Sequence, residues 1–187
     1  MSTERVTGLV LAAGGSRRLG QPKQLLPYRG RPLLEHVLDT ARACGFAQLV
    51  CAVGDQLSGV DFSGVEVVEN PHRGAGCSSS IAVALEVVDA DVLVLLLGDQ
   101  PDVRPESVTA LLAGRGGARF AVCRYDDGRG HPFAFGRAAF GELAAMHGDK
   151  AVWKLLERFA SEVVEVPIAG PVPIDVDTWA DYEALIA

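Results

Sequence analysis

Gly8-Leu9-Val10-Leu11-Ala12-Ala13-Gly14-Gly15-Ser16-Arg17-Arg18-Leu19-Gly20-Gln21-Pro22-Lys23 continues an apolar run begun at Val6, then breaks into glycines, a serine and cations. The run Val6–Ala13 has the unbroken apolar character of a parallel strand buried on both faces. Gly14-Gly15-Ser16 lets the backbone turn sharply and approach a ligand closely. Backbone N–H groups beside Arg17, Arg18 and Lys23 make a site for a polyanion, with a nucleoside triphosphate the leading candidate. An ordinary strand-turn with solvated basic residues is the plainer alternative.

Two commoner phosphate loops do not fit. A Walker loop reads Gly-x-x-x-x-Gly-Lys-Ser/Thr, whereas Gly20 is followed here by Gln21, and Lys23 lies beyond Pro22. A dinucleotide loop opens directly into a helix. Gln21-Pro22 and Leu26-Pro27 keep this segment irregular, because proline restricts both itself and the residue before it.

Further apolar runs predict strands at Gln48–Val53, Val65–Val68, Val92–Leu97, Arg119–Cys123 and Glu162–Val166. Between them lie helical patterns at Pro32–Cys44, Ser78–Val88 and Ser107–Ala113, the last led in by Arg104-Pro105-Glu106. A late helix is expected over Asp149–Ala160 and a short final one over Trp179–Ile186. Strands alternating with helices predict a mostly parallel, doubly wound α/β sheet, which binds ligands beyond the carboxyl ends of its strands.

The chain has 187 residues, enough for a full core, and residues 1–187 are expected to form one domain. A net charge of −7 argues against a general nucleic-acid binder. No apolar run reaches membrane-span length, and the start lacks an export pattern, so the cytoplasm is the expected compartment. Cys44, Cys51, Cys77 and Cys123 are scattered, which reads as reduced, buried small hydrophobes. Trp153 and Phe159 read as scattered surface apolars that define no interface.

Leu93-Val94-Leu95-Leu96-Leu97-Gly98-Asp99-Gln100-Pro101 is a buried strand ending in an acid, with Gly98 expected to allow a bend. A carboxylate there is well placed to hold magnesium on a triphosphate; a turn aspartate is the alternative. Alternation puts Asp175 and Asp177 on one face, about 7 Å apart along the chain. Thr178 is expected to cap the final helix. Asn70-Pro71-His72-Arg73-Gly74-Ala75-Gly76-Cys77-Ser78-Ser79-Ser80 leads three serines into a helix start, for a ligand or for capping alone.

Leu11 to Pro27 resembles the signature of the MobA-like nucleotidyltransferases. Within them it is most similar to the molybdenum cofactor cytidylyltransferases, whose pattern is L-A-A-G-x-S-x-R-M-G-x-P-K-x-L-L-P, with Leu19 here in place of Met. The resemblance extends to Gly98-Asp99-Gln100-Pro101, the Asn70–Ser80 segment, Gly130-His131-Pro132, Gly148-Asp149-Lys150 and Asp175–Tyr182. Cys77 and Ile81 stand where Met and Leu are usual, and Ala151 and Trp153 where Gly and Arg are usual. That arginine would have made a bidentate anion contact.

By resemblance, the fold is the three-layer Rossmann-like sheet of the nucleotide-diphospho-sugar transferases. Leu11, Ala12, Ala13, Gly14, Gly15, Ser16, Arg17, Arg18, Lys23, Asn70, Ser80 and Asp99 would bind nucleotide. Arg18, Lys23 and Asp99 would be catalytic, and Asp99, Asp175 and Asp177 would hold Mg²⁺, while Gln100, His131 and Asp149 would face the acceptor. The implied reaction moves CMP from CTP onto a phosphorylated acceptor, a molybdopterin-type cofactor, with release of pyrophosphate. A molybdoenzyme or its maturation factor is the implied partner. The alternatives are a guanylyl- or sugar-phosphate nucleotidyltransferase and a non-catalytic module that delivers a cofactor. A nicotinamide- or flavin-dependent oxidoreductase is disfavoured by the loop spacing.

Overall fold

The computed structural model describes residues 4–16, 18–54, 57–72 and 75–187, so Arg17 lies outside the described residues. In chain order the elements are β1 (Val6–Ala12), β2 (Pro27–Tyr28), β3 (Arg31–Pro32), α1 (Leu33–Ala43), β4 (Gln48–Val53), β5 (Glu66–Glu69) and α2 (Cys77–Leu85). There follow β6 (Val92–Leu97), α3 (Pro105–Arg115), β7 (Phe120–Arg124), β8 (Arg129–Gly136), α4 (Phe140–Ala144), α5 (Ala151–Arg158), β9 (Val163–Pro167) and α6 (Trp179–Ile186). The expected strands and helices are all present, with ends shifted by a few residues.

β1 is the third strand, beside the central β6, of a seven-stranded sheet of order β5-β4-β1-β6-β8-β7-β9. It pairs in parallel with β4 through Leu9↔Val50 and with β6 through Leu9↔Leu95. Alternate residues of these strands feed opposite faces. Val10, Ala12, Cys51, Val94 and Leu96 pack with Leu34 and Leu38 of α1 and Leu111 of α3. Leu9, Val50, Leu93 and Leu95 pack with Ile81 of α2, Leu143 of α4 and Leu156 of α5. Each such buried leucine contributes about 1.5–3 kcal/mol. With both faces covered, the sheet is the three-layer, mostly parallel, Rossmann-like arrangement.

β8 was not expected from sequence. It runs antiparallel between β6 and β7, although Gly130, Pro132 and Gly136 interrupt it. The ladder with β7 shifts register between Val122, opposite Phe133, and Cys123, opposite Gly130. His131 and Pro132 fall in that shift, so the proline is asked for no ladder hydrogen bond. Their peptide bond is cis.

A smaller cluster of Leu19, Leu26, Tyr28, Leu33 and Val176 joins the β2–β3 hairpin to the C-terminal segment, with Tyr182 and Leu185 of α6 against it. Trp153 and Phe159 are also not loose surface apolars. Trp153 packs edge-on to Phe133 at 5.0 Å, and Phe159 stacks on Phe120 at 5.3 Å.

Gly98 is needed for space rather than for a bend. A Cβ there would lie 2.9 Å from the Leu11 carbonyl oxygen and 3.1 Å from Leu34 Cδ1. Since backbone and core block it, Gly98→Ala is expected to cost about 1–3 kcal/mol, read as a lower urea midpoint at unchanged slope.

Candidate active site

The carboxyl ends of β1 and β6 open into a cleft of about 340 Å³. Its walls come from the Gly14-Gly15 loop, the start of α2, the His131 bulge, Asp149 to Trp153, and the Asp175–Asp177 segment. The loop after β1 is held by side chains rather than by a helix. Gln24 Nε2 donates to the carbonyls of Ala12 (2.7 Å) and Gly14 (3.3 Å). Ser16 Oγ accepts from the Lys23 backbone N–H at 2.9 Å, and Ser16 sits at φ 43°. This brace and a tight helical turn at Lys23–Leu25 direct Lys23 back under the loop. Gln24 was missed from sequence; its place beside Lys23 gave no chemical signal.

The Lys23 ammonium donates to Asp99 Oδ2 and, at 2.8 Å, to Asp177 Oδ1. Arg18 Nη2 donates to Asp177 Oδ2 at 2.8 Å. Lys23 and Asp99 side chains are only 11% and 14% exposed, so their attraction is little screened, whereas Arg18 is 65% exposed and its pair is worth little. Burial works against the Lys23 charge, but Asp99 and Asp177 together hold its pKa above the ordinary lysine value. Burial pushes the Asp99 carboxyl up despite Lys23. Asp177 feels a weaker push from burial, and Lys23 with Arg18 holds it low.

The C-terminal acids are hung on the end of β6. The Val176 N–H donates to the Asp99 carbonyl at 3.2 Å, and Gln100 Nε2 donates to the Pro173 carbonyl at 3.1 Å. With Val176 fully buried, Asp175 and Asp177 both line the cleft. Thr178 caps α6 in a reciprocal capping box with Asp181. Asp175 stands at the open edge, and its carboxyl is pushed up to about 6 by partial burial and by repulsion from Asp99 and Asp177.

Whether these acids suit a divalent ion can be judged from their bonding. Asp99 Oδ1 is buried and has no hydrogen-bond partner among the described residues. Asp175 and Asp177 contribute carboxylates to the same cleft. Among the described residues no group of three or more His, Cys, Asp or Glu side chains could hold a metal ion. Asp99 with Asp175 or Asp177 suits a divalent ion shared with substrate phosphates and water, a mode in which one or two carboxylates suffice.

The remaining expected site residues divide. Leu11, Ala13, Gly14, Gly15, Ser80, His131 and Asp149 line the cleft; Ala12, Asn70 and Gln100 do not. Asn70 is buried and donates to Ser79 Oγ (2.8 Å) and Ser80 Oγ (2.9 Å), bracing the start of α2 from below. Ser78 Oγ accepts from the Gly148 N–H at 2.9 Å, docking the Gly148-Asp149 turn onto α2. Gly76, at φ 91°, permits that contact, since a Cβ would lie 2.5 Å from Asp149 Oδ1. Cys77 is not a sealed core residue: it lines the cleft, with Sγ donating to the Asp149 carbonyl at 2.8 Å. His131 stacks on Phe133 at 4.0 Å, with Trp153 edge-on at 6.2 Å. Burial drives its pKa down to about 3, so it is a neutral imidazole.

A family model described as the MobA-like NTP transferase domain matches residues 8–163. The chain belongs to the MobA-like NTP transferase family. Its enzyme class is accordingly nucleotidyltransferase. The crystal structure of Rv0371c from Mycobacterium tuberculosis H37Rv is 46% identical, with TM-score 0.91 and 99% of each chain covered. The complex of Rv0371c with manganese is 44% identical, with TM-score 0.82 and again 99% of each chain covered. A probable molybdenum cofactor guanylyltransferase of Bacillus cereus (strain G9842) is 33% identical over 68% of this chain and 66% of its own length. Nicotine blue oxidoreductase of Paenarthrobacter nicotinovorans is 32% identical over 68% of this chain and 69% of its own. The chain spans only 25% of the bifunctional protein GlmU of Halorhodospira halophila, to which it is 44% identical over 59% of its own length.

The raised Asp175 sets a pH dependence. Folded, it keeps its proton to about 6, whereas an unfolded aspartate releases it near ~3.9. The folded state thus binds more protons across that window, and this group's contribution to stability is lost as pH rises through it. Asp175→Asn is expected to be more stable than the parent protein at about pH 8, by up to ~1 kcal/mol at so solvated a site, with no gain at about pH 4. Urea midpoints at the two pH values test this.

Proposed function

We propose that residues 1–187 act as one magnesium-dependent domain that transfers CMP from CTP to the phosphate of a molybdopterin-type acceptor, releasing pyrophosphate. The observation that carries this reading is the Lys23 ammonium set between Asp99 and Asp177 at the foot of a braced glycine loop. It puts a cation for phosphate oxygens and carboxylates for a divalent ion within one small cleft. The family membership supports the transfer chemistry, and the resemblance of Ala13 and Pro22-Lys23 to the cytidylyl branch supports CTP.

In this mechanism the Gly14-Gly15 backbone and Lys23 bind the triphosphate with Arg18 at its outer end, and Arg17 is a nucleotide contact on the sequence resemblance alone. Asp99 would hold magnesium with Asp175 or Asp177, and when bound the ion offsets charge at the α-phosphate and aligns attack with departure. Lys23 and Arg18 stabilise the departing pyrophosphate. A phosphate monoester is already largely ionised at neutral pH, so the acceptor needs no general base. The neutral His131 fits that requirement, with Trp153 and Asp149 forming the acceptor wall. The reaction is placed in the cytoplasm, where the four thiols stay reduced, with delivery to a molybdoenzyme or its maturation factor.

GTP is the second reading, favoured by the guanylyltransferase relative. A dinucleotide-dependent oxidoreductase is disfavoured because the loop leads to the turn at Lys23–Leu25 rather than to a helix N-terminus that would receive a pyrophosphate. Pyrophosphate release is the test, with Mg²⁺ and each of CTP, GTP, ATP and UTP, with and without a molybdopterin-type acceptor. CTP with acceptor is expected to give release, and Lys23→Ala or Asp99→Ala to lower it at least ~100-fold. Breaking a buried pair also costs stability, so both variants are assayed where circular dichroism shows them folded. Near-parental turnover in either variant overturns the assignment.

A further inference from the structure

Asp99 has one carboxylate oxygen on Lys23 and the other buried with no partner among the described residues. Lys23 Nζ also reaches Asp177 Oδ1 at 2.8 Å, so a single ammonium bridges two of the three acids assigned to the metal. Arg18 takes the outer oxygen of Asp177 at 2.8 Å. The ammonium is held there by the loop itself: the Lys23 backbone is fixed on Ser16 Oγ, and Gly14 lies against its stem, where an added Cβ would come within 3.5 Å of Cε.

We propose that Lys23 is an internal counter-ion that holds the metal's carboxylates until nucleotide arrives, so that the divalent ion enters with the triphosphate rather than before it. The inference rests on the assignment of Asp99 to the metal. Without nucleotide, an entering dication meets the ammonium at close range, and to engage Asp99 Oδ2 it must displace the hydrogen bond from Lys23. Triphosphate oxygens offer Lys23 a second set of acceptors, and its move onto them exposes Asp99 Oδ2 and Asp177 Oδ1 beside the orphaned Oδ1. Substrate and metal then bind with positive coupling, which acts equally in both directions. Lys23 thereby serves twice, guarding the acids first and binding phosphate afterwards.

Binding of Mn²⁺ alone, followed by the paramagnetic resonance signal of the free ion, tests this without substrate or turnover. The parent protein is expected to bind Mn²⁺ weakly. Lys23→Gln removes a like charge a few ångströms from the site and should bind at least ~10-fold more tightly. The double variant Lys23→Gln/Asp99→Asn should lose that gain, which ties it to Asp99. Should Lys23→Gln prove unstable in metal-free buffer, Mn²⁺ should raise its Tm more than it raises that of the parent protein. Equal or weaker Mn²⁺ binding by Lys23→Gln, an equal Tm rise, or a gain that survives Asp99→Asn overturns the proposal. A lysine that merely stabilises the fold would give the first of these. Failure here leaves the nucleotidyl-transfer assay standing, and failure of that assay leaves the metal titration interpretable.

Discussion

The arrangement turns on a charge that cannot be left alone. Asp99 is carried to the end of β6 by a strand buried on both faces, and a carboxylate so enclosed is costly unless paired. Lys23 supplies the pair from the loop after β1, and Asp177 supplies a second partner from the other end of the chain. Three distant stretches of sequence thus converge because one ionised group at the sheet edge must be compensated. The neighbouring hydrogen bonds, from Val176 to the Asp99 carbonyl and from Gln100 to Pro173, keep the convergence in register.

A glycine loop without a helix behind it needs another source of order. Here Gln24 and Ser16 provide it, one tying down the carbonyls of Ala12 and Gly14, the other fixing the Lys23 amide. The prolines that prevent a helix also make this possible, since an irregular path lets Lys23 double back under the glycines. The small cluster of Leu19, Leu26, Tyr28 and Val176 then anchors the outer part of the loop to the segment that carries the acids.

Much of this was legible in the residues. The apolar runs specified β1, β4 and β6, and the terminal placement of Asp99 followed from the β6 run ending in Gly98-Asp99. The alternation Asp175-Val176-Asp177 indicated which residue is buried and which pair faces outward. β8 was hidden because Gly130 and Pro132 look like breakers, and only the register shift opposite Val122 and Cys123 removes their penalty. Asn70 and Gln100 looked like ligand contacts since buried and exposed amides share one letter in sequence. Their hydrogen bonds to Ser79, Ser80 and Pro173 brace the neighbouring elements, and neither side chain lines the cleft. Trp153 was read as surface because its partners His131 and Phe133 lie on the unrecognised strand.

The seam at Gly76 and Asp149 divides the cleft into two separately supported walls. The phosphate loop is braced from within by its own glutamine and serine, whereas the opposite wall is an aromatic stack on β8 and α5, docked through Ser78 and Cys77 onto α2. Among the described residues, the hydrogen bonds that brace the loop do not involve those that dock the opposite wall. The scaffold is therefore modular: replacing Trp153 or reshaping the Gly148-Asp149 turn alters what fits on one side while the loop's internal bonds stay as they are. Such a division lets one side of the cleft drift under selection without rebuilding the braced glycine loop on the other.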